Sequence, residues 1–175
     1  MKKKLVLAVA FAAVLTTGTV LASPVHPGGL GIGALWGGSV GGGGNFGFGN
    51  VALSLKLPTV PIFWGVTLNI HNDWMAVGVQ GDYYFMGGYL VGDILGWYLG
   101  LGAFGNFGFG SNVSFVGFGG RVPIGLTFQP ISLLEVFLTL APQVGGRVWI
   151  SGNYSGFQFP QGSFFNFELG LRLWL

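Results

Sequence analysis

The chain contains no cysteine, and only 7% of its 175 residues are Asp, Glu, Lys or Arg. The first absence excludes a disulfide framework, a thiolate-bound metal and lipidation of an N-terminal cysteine. The second excludes an ordinary soluble surface, which draws on a domain with about a quarter of its residues charged. Long apolar runs are also missing beyond the N-terminus. There Gly, Pro or a charge interrupts every apolar stretch short of the ~20 residues that a spanning helix needs. What the chain has instead is 51% apolar residues, 35 glycines and 17 phenylalanines. An apolar chain without helical spans has one remaining way to satisfy its backbone in lipid, a closed β-barrel.

The first residues read as an export signal. Met1-Lys2-Lys3-Lys4 is basic, residues 5–14 are apolar, and Val20-Leu21-Ala22 offers a cleavage site before Ser23. The expected organisation is a cleaved signal peptide over residues 1–22 and a single domain over residues 23–175. Cleavage removes Lys2, Lys3 and Lys4. Lys56, Arg121, Arg147 and Arg172 then face Asp73, Asp82, Asp93, Glu135 and Glu168, four against five, so the formal charge falls from +2 to −1. The basic pI belongs to the signal, and no nucleic-acid partner is expected.

Residues 163–175 alternate most cleanly. Phe165, Phe167, Leu169, Leu171, Leu173 and Leu175 share one face of an extended strand, and Asn166, Glu168, Gly170 and Arg172 share the other. The same parity places strands at about residues 30–40, 51–57, 64–71, 75–85, 95–106, 121–128 and 134–143. The pattern predicts an all-β, eight-stranded antiparallel up-and-down transmembrane β-barrel. Its connections fall at residues 58–61, 86–94 and 129–133 on one end, and at 41–50, 71–74, 107–113 and 145–162 on the other. Trp64, Trp97, Tyr83 and Phe85 near one rim and Trp74 near the other resemble aromatic girdles.

On this reading Lys56, Asp82, Arg121, Glu135, Glu168 and Arg172 all point inward, as they must where a charge facing lipid costs roughly 2–4 kcal/mol. A hairpin about Asn153 brings Glu135 near Arg172, with Arg121 and Glu168 closer to the middle. These charges form either a polar constriction or purely structural pairs in an interior that eight strands barely leave open. Inward Tyr98, Phe104 and Phe137 narrow the lumen, and inward glycines widen it. Pro123 and Pro142 each deny a ladder bond in neighbouring strands, which predicts either bulges or a lateral gap between them.

Other motifs carry less. Gly42-Gly44-Gly47 and Gly100-Gly102-Gly105 match G-x-G-x-x-G, but no helix-forming segment follows either, so both are products of composition. His71 and Asp73 lie at an outer turn with no serine beside them, which favours a solvated turn over a lipid-hydrolysing centre. Asn112 and Asn153 spell glycosylation sequons to which a bacterial export signal gives no weight. No catalytic residue, metal or cofactor is expected.

The C-terminal run Glu168-Leu-Gly170-Leu-Arg-Leu173-Trp-Leu175 resembles the signal by which the barrel-assembly machinery recognises bacterial outer-membrane proteins. Glu168, Gly170, Leu173 and Leu175 stand at its key positions. Leu175 replaces the usual terminal aromatic, and Trp174 comes one place early. Arg121-Val-Pro-Ile-Gly-Leu-Thr-Phe-Gln-Pro130, followed by Leu134-Glu-Val-Phe-Leu-Thr-Leu-Ala-Pro142, is similar to small OmpW/OmpX-like barrels of spirochaetes, of treponemal type. The resemblance implies a monomer in outer-membrane lipid that acts as a narrow porin-like conduit or binding site for small hydrophobic solutes. The alternative is a structural or surface-interaction barrel. Its outer connection over residues 145–162 would present Arg147, Trp149, Tyr154, Phe157 and Phe159 to a partner.

Overall fold

A computed structural model describes residues 25–41, 46–70, 74–110, 114–151, 154–160 and 163–175. Strands follow one another along the chain: β1 (Gly31–Gly41), β2 (Phe46–Lys56), β3 (Phe63–Ile70), β4 (Trp74–Val91), β5 (Leu95–Gly110), β6 (Ser114–Arg121), β7 (Ile124–Ile131), β8 (Leu134–Ser151), β9 (Tyr154–Gln158) and β10 (Ser163–Trp174). All pairings are antiparallel. From β1 to β5 each strand pairs with the next, β6 and β7 both lie between β5 and β8, and β8 pairs with β10. β10 returns to β1 and closes the ring. β6 and β7 together make one stave and β9 extends the hairpin above β8, so the ring has eight staves.

The registers fix the ring's shape. A walk across the ladder from Arg147 passes Gly117, Asn106, Gly78, Thr67, Ala52, Leu35 and Gly170, and regains β8 at Phe137, ten residues from its start. Ten rises of about 3.3 Å against eight spacings of about 4.8 Å tilt the staves by about 40° from the axis. Such a ring encloses a lumen just wide enough for side chains to fill.

The strands run further than their alternation suggests. Residues 86–94 are not a long connection: β4 and β5 stay paired down to Val91↔Leu95, leaving a turn at residues 92–94 in which Gly92 takes a positive φ. Two register shifts, between Tyr84 and Met86 and between Tyr89 and Val91, flip the parity and hide the strand from a period-two reading. β2 begins at Phe46, β5 reaches Gly110 and β8 reaches Ser151, each through glycine-rich sequence whose alternation is faint. Expectations resting on Gly42, Gly44, His71, Asp73, Asn112 and Asn153 lie outside the described residues.

Pro123 and Pro142 make neither a bulge nor a gap. The register is the same on both sides of Pro123, with Arg121↔Gln143 above and Ile124↔Leu140 below. Val122 N–H still donates to the Pro142 carbonyl (2.9 Å), and Gly100 N–H to that of Pro123 (2.8 Å). Each proline removes one return bond from an intact seam.

The inward glycines are mostly filled. Phe137 lies opposite Gly170, Tyr98 opposite Gly125, Phe104 opposite Gly119 and Phe115 opposite Gly108. In each pair a Cβ on the glycine would collide with the facing ring. Small residues set against large ones pack the taper of a narrow closed sheet. Gly170→Ala is therefore expected to destabilise the ring by about 1–3 kcal/mol through overpacking. Trimming the facing ring with Phe137→Leu in the same chain should recover most of it, read by urea unfolding. A Gly170→Ala defect that Phe137→Leu leaves untouched assigns the glycine to another task.

Candidate functional site

Two layers of ion pairs divide the lumen. The first lies at the end where β1 begins and β10 finishes. Glu135 of β8 sits directly across from Arg172 of β10, and both side chains are buried. Glu135 Oε2 accepts from Arg172 Nη1 (2.7 Å) and from the Trp174 indole N–H (2.8 Å). Oε1 accepts from the Thr127 hydroxyl (2.8 Å) and lies 2.7 Å from His26 Nδ1. Arg172 reaches on to Ser54 Oγ of β2 (2.9 Å), and its guanidinium lies between the Phe63 and Phe137 rings, 4.7 and 4.5 Å from their centroids. A carboxylate with four neighbours of this kind offsets much of the cost of burying its charge.

The chain ahead of β1 stoppers this end. Val25 is fully buried, its carbonyl accepts from Gln129 Nε2 (2.6 Å), and the absence of a side chain at Gly96 makes room for it. His26 follows, with Phe63, Tyr84 and Tyr98 around its ring at centroid distances of 4.7, 5.2 and 5.1 Å. Tyr98 in turn shares a 2.6 Å hydrogen bond with Thr139. Nothing in the strand parity pointed to His26, because it precedes the first strand.

The second layer lies deeper in the ring. Asp82 of β4 and Arg121 of β6 flank Gly102 of β5 in register. A side chain on Gly102 would occupy the space where the two charges meet, 3.2 Å apart. That contact is a close approach of charges without hydrogen-bond alignment. Arg121 Nη1 also spans the lumen to Glu168 Oε1 of β10 (2.7 Å), which accepts from Gln80 Nε2 as well (3.0 Å), and Gln80 Oε1 accepts from Arg121.

Beyond this layer the lumen opens into a cavity of about 270 Å³, whose lining includes Ser39, Thr67, Gln80, Phe104, Asn106, Phe115, Gln143, Arg147, Asn166 and Glu168. The volume lies just under the roughly 300 Å³ at which small-molecule sites begin. The polar side chains come from several staves, and Gln80 and Glu168 join the lining to the Arg121 layer. Among the described residues no group of three or more His, Cys, Asp or Glu is placed to hold a metal ion.

Five of the six expected inward charges, Asp82, Arg121, Glu135, Glu168 and Arg172, are buried in these layers. Lys56 stands apart at the terminal rim, its Nζ donating to the Leu57 carbonyl (2.6 Å). In the C-terminal motif Leu173 and Leu175 are exposed, whereas Gly170 packs under Phe137. Trp174 comes one place early because it points inward to Glu135. Arg147, expected on an outer connection, belongs to β8 and lines the cavity.

Ion pairs inside and large apolar side chains exposed outside define a class of all-β protein built as an antiparallel up-and-down ring. Within that class the chain belongs to the family described as "Protein of unknown function (DUF3996)", which matches residues 46–172. Neither the curated proteins nor the solved structures contain a match to it.

Glu135→Leu should destabilise the fold by about 3–5 kcal/mol, because it strands the Arg172 guanidinium in a buried site. Pairing it with Arg172→Met should restore part of that loss in a double-mutant unfolding cycle. Additive losses from the two substitutions would show that the pair is not coupled.

Proposed function

We propose that the chain is an eight-stranded outer-membrane β-barrel, exported by a cleaved signal peptide, whose lumen is a solute-binding cup rather than an open conduit. The observation that carries the membrane reading is the outward face. Trp36, Leu53, Leu68, Met75, Leu101, Phe118, Leu126, Leu140 and Leu169 are exposed, and between them they come from all eight staves. Single exposed apolar residues are ordinary, but a band of them around the whole circumference has no place in water. Lipid is the solvent that accepts it, and closure leaves no sheet edge unpaired there.

The cup reading rests on the stopper and the two charged layers. Val25 and His26 occupy the terminal end, and Arg121 bonded to Glu168 crosses the middle. The polar groups along the wall favour a polar small molecule over the hydrophobic solute that the OmpW-like resemblance implies. With the termini on the periplasmic side, the cup faces outward. A surface-interaction role is the second reading, supported by exposed Trp149, Phe157 and Phe159 on the β8–β9 hairpin.

Refolded protein is expected to float with phospholipid vesicles in a density gradient and to give no steady conductance in planar bilayers. Protein that stays with the soluble fraction counts against the membrane reading. Discrete, long-lived conductance steps would return the lumen to a conduit.

A further inference from the structure

Four cations remain beyond residue 22, and three of them are engaged by the chain itself. Arg121 meets Asp82 and Glu168, Arg172 meets Glu135, and Lys56 donates to a backbone carbonyl. Arg147 is different. Among the described residues no carboxylate pairs with it, and its Nε, like the Nε and Nη2 of Arg121, is buried with no acceptor. Its guanidinium carbon lies 4.7 Å over the Phe115 ring, and both residues line the cup. Stacking on an aromatic face holds a guanidinium in position but leaves its in-plane N–H donors unsatisfied. A buried donor without an acceptor is costly, and a planar fork of N–H groups matches a carboxylate.

We propose that the cup binds a small organic anion bearing a single carboxylate, which Arg147 recognises while Phe115 flanks it. The inference rests on the reading of the lumen as a binding cup and names its ligand class. Asn106 and Asn166 line the same cavity and supply neutral amides for the remaining polar atoms. One charge is favoured over two by the floor. There Arg121 is already taken up by Asp82 and Glu168, so the layer beneath the ligand offers no spare cation. A doubly charged phosphate would meet a single unmatched arginine. A monocarboxylate balances Arg147 alone.

Three probes of one shape and different charge test this: benzoate, benzamide and benzamidine, titrated calorimetrically into the purified chain in detergent micelles. Benzoate is expected to bind at least ten-fold tighter than benzamide, with benzamidine weakest. Arg147→Gln should erase the benzoate preference, and Arg147→Lys should keep part of it. Heat-modified gel mobility reports whether each variant is folded, and the preference of the unaltered chain is a test that needs no variant. Equal or tighter binding of benzamide or benzamidine overturns the anion assignment while leaving the cup. Benzoate binding that Arg147→Gln does not weaken overturns the role of Arg147. No saturable binding by any probe removes the cup together with its ligand.

Discussion

Eight staves staggered by ten residues leave a lumen scarcely wider than the side chains that enter it, and much else follows from that confinement. An aromatic ring pointing inward needs a neighbour with no side chain, which is why Phe137, Tyr98, Phe104 and Phe115 each face a glycine. A charge pointing inward has no bulk water to retreat to, so it must meet a partner across the lumen or over an intervening stave. Gly102 serves the second need and Gly170 the first. The abundance of glycine is the counterpart of large inward side chains in a narrow space.

The ion pairs act as spokes. Arg121 joins β6 to β4 through Asp82 and to β10 through Glu168, while Arg172 joins β10 to β8 through Glu135 and to β2 through Ser54. These contacts link staves that share no ladder hydrogen bonds, as well as the β8–β10 seam. They also stratify the interior. The layer at the terminal end is packed with rings and filled by Val25 and His26, and the deeper layer borders the cavity through Gln80 and Glu168. Confinement that compels charges to pair at two levels makes Arg147 stand out as a cation with no carboxylate partner among the described residues.

Much of this was legible in the residues. Parity alone assigned Asp82, Arg121, Glu135, Glu168 and Arg172 to one face, because a strand sends alternate side chains to opposite sides. The same parity held Gln80, Ser54, Thr127 and Thr139, whose polar atoms complete the networks. Where the reading fell short, the period had been broken. Register shifts beside Phe85 and Leu90 turned the lower part of β4 into an apparent loop. Glycine-rich sequence gave the upper ends of β5 and β8 too little contrast to show as strand. His26 was beyond reach, since a residue outside any repeating element has no phase from which to infer its direction.

The order of residues alone dictates that the chain is built of alternating strands, which side chains share a face, and that its charges belong on the face away from the apolar one. These are local properties, set by the two-residue period of an extended backbone and by the cost of mixing charge with hydrocarbon. Closure of the ring settles which charge meets which, that Pro123 and Pro142 leave the seam closed, that Val25 and His26 fill one end, and that Arg147 lines a cavity with no carboxylate partner among the described residues. Each of those depends on stagger and closure. They are set by how eight staves register against one another around the ring, and no single strand carries that information.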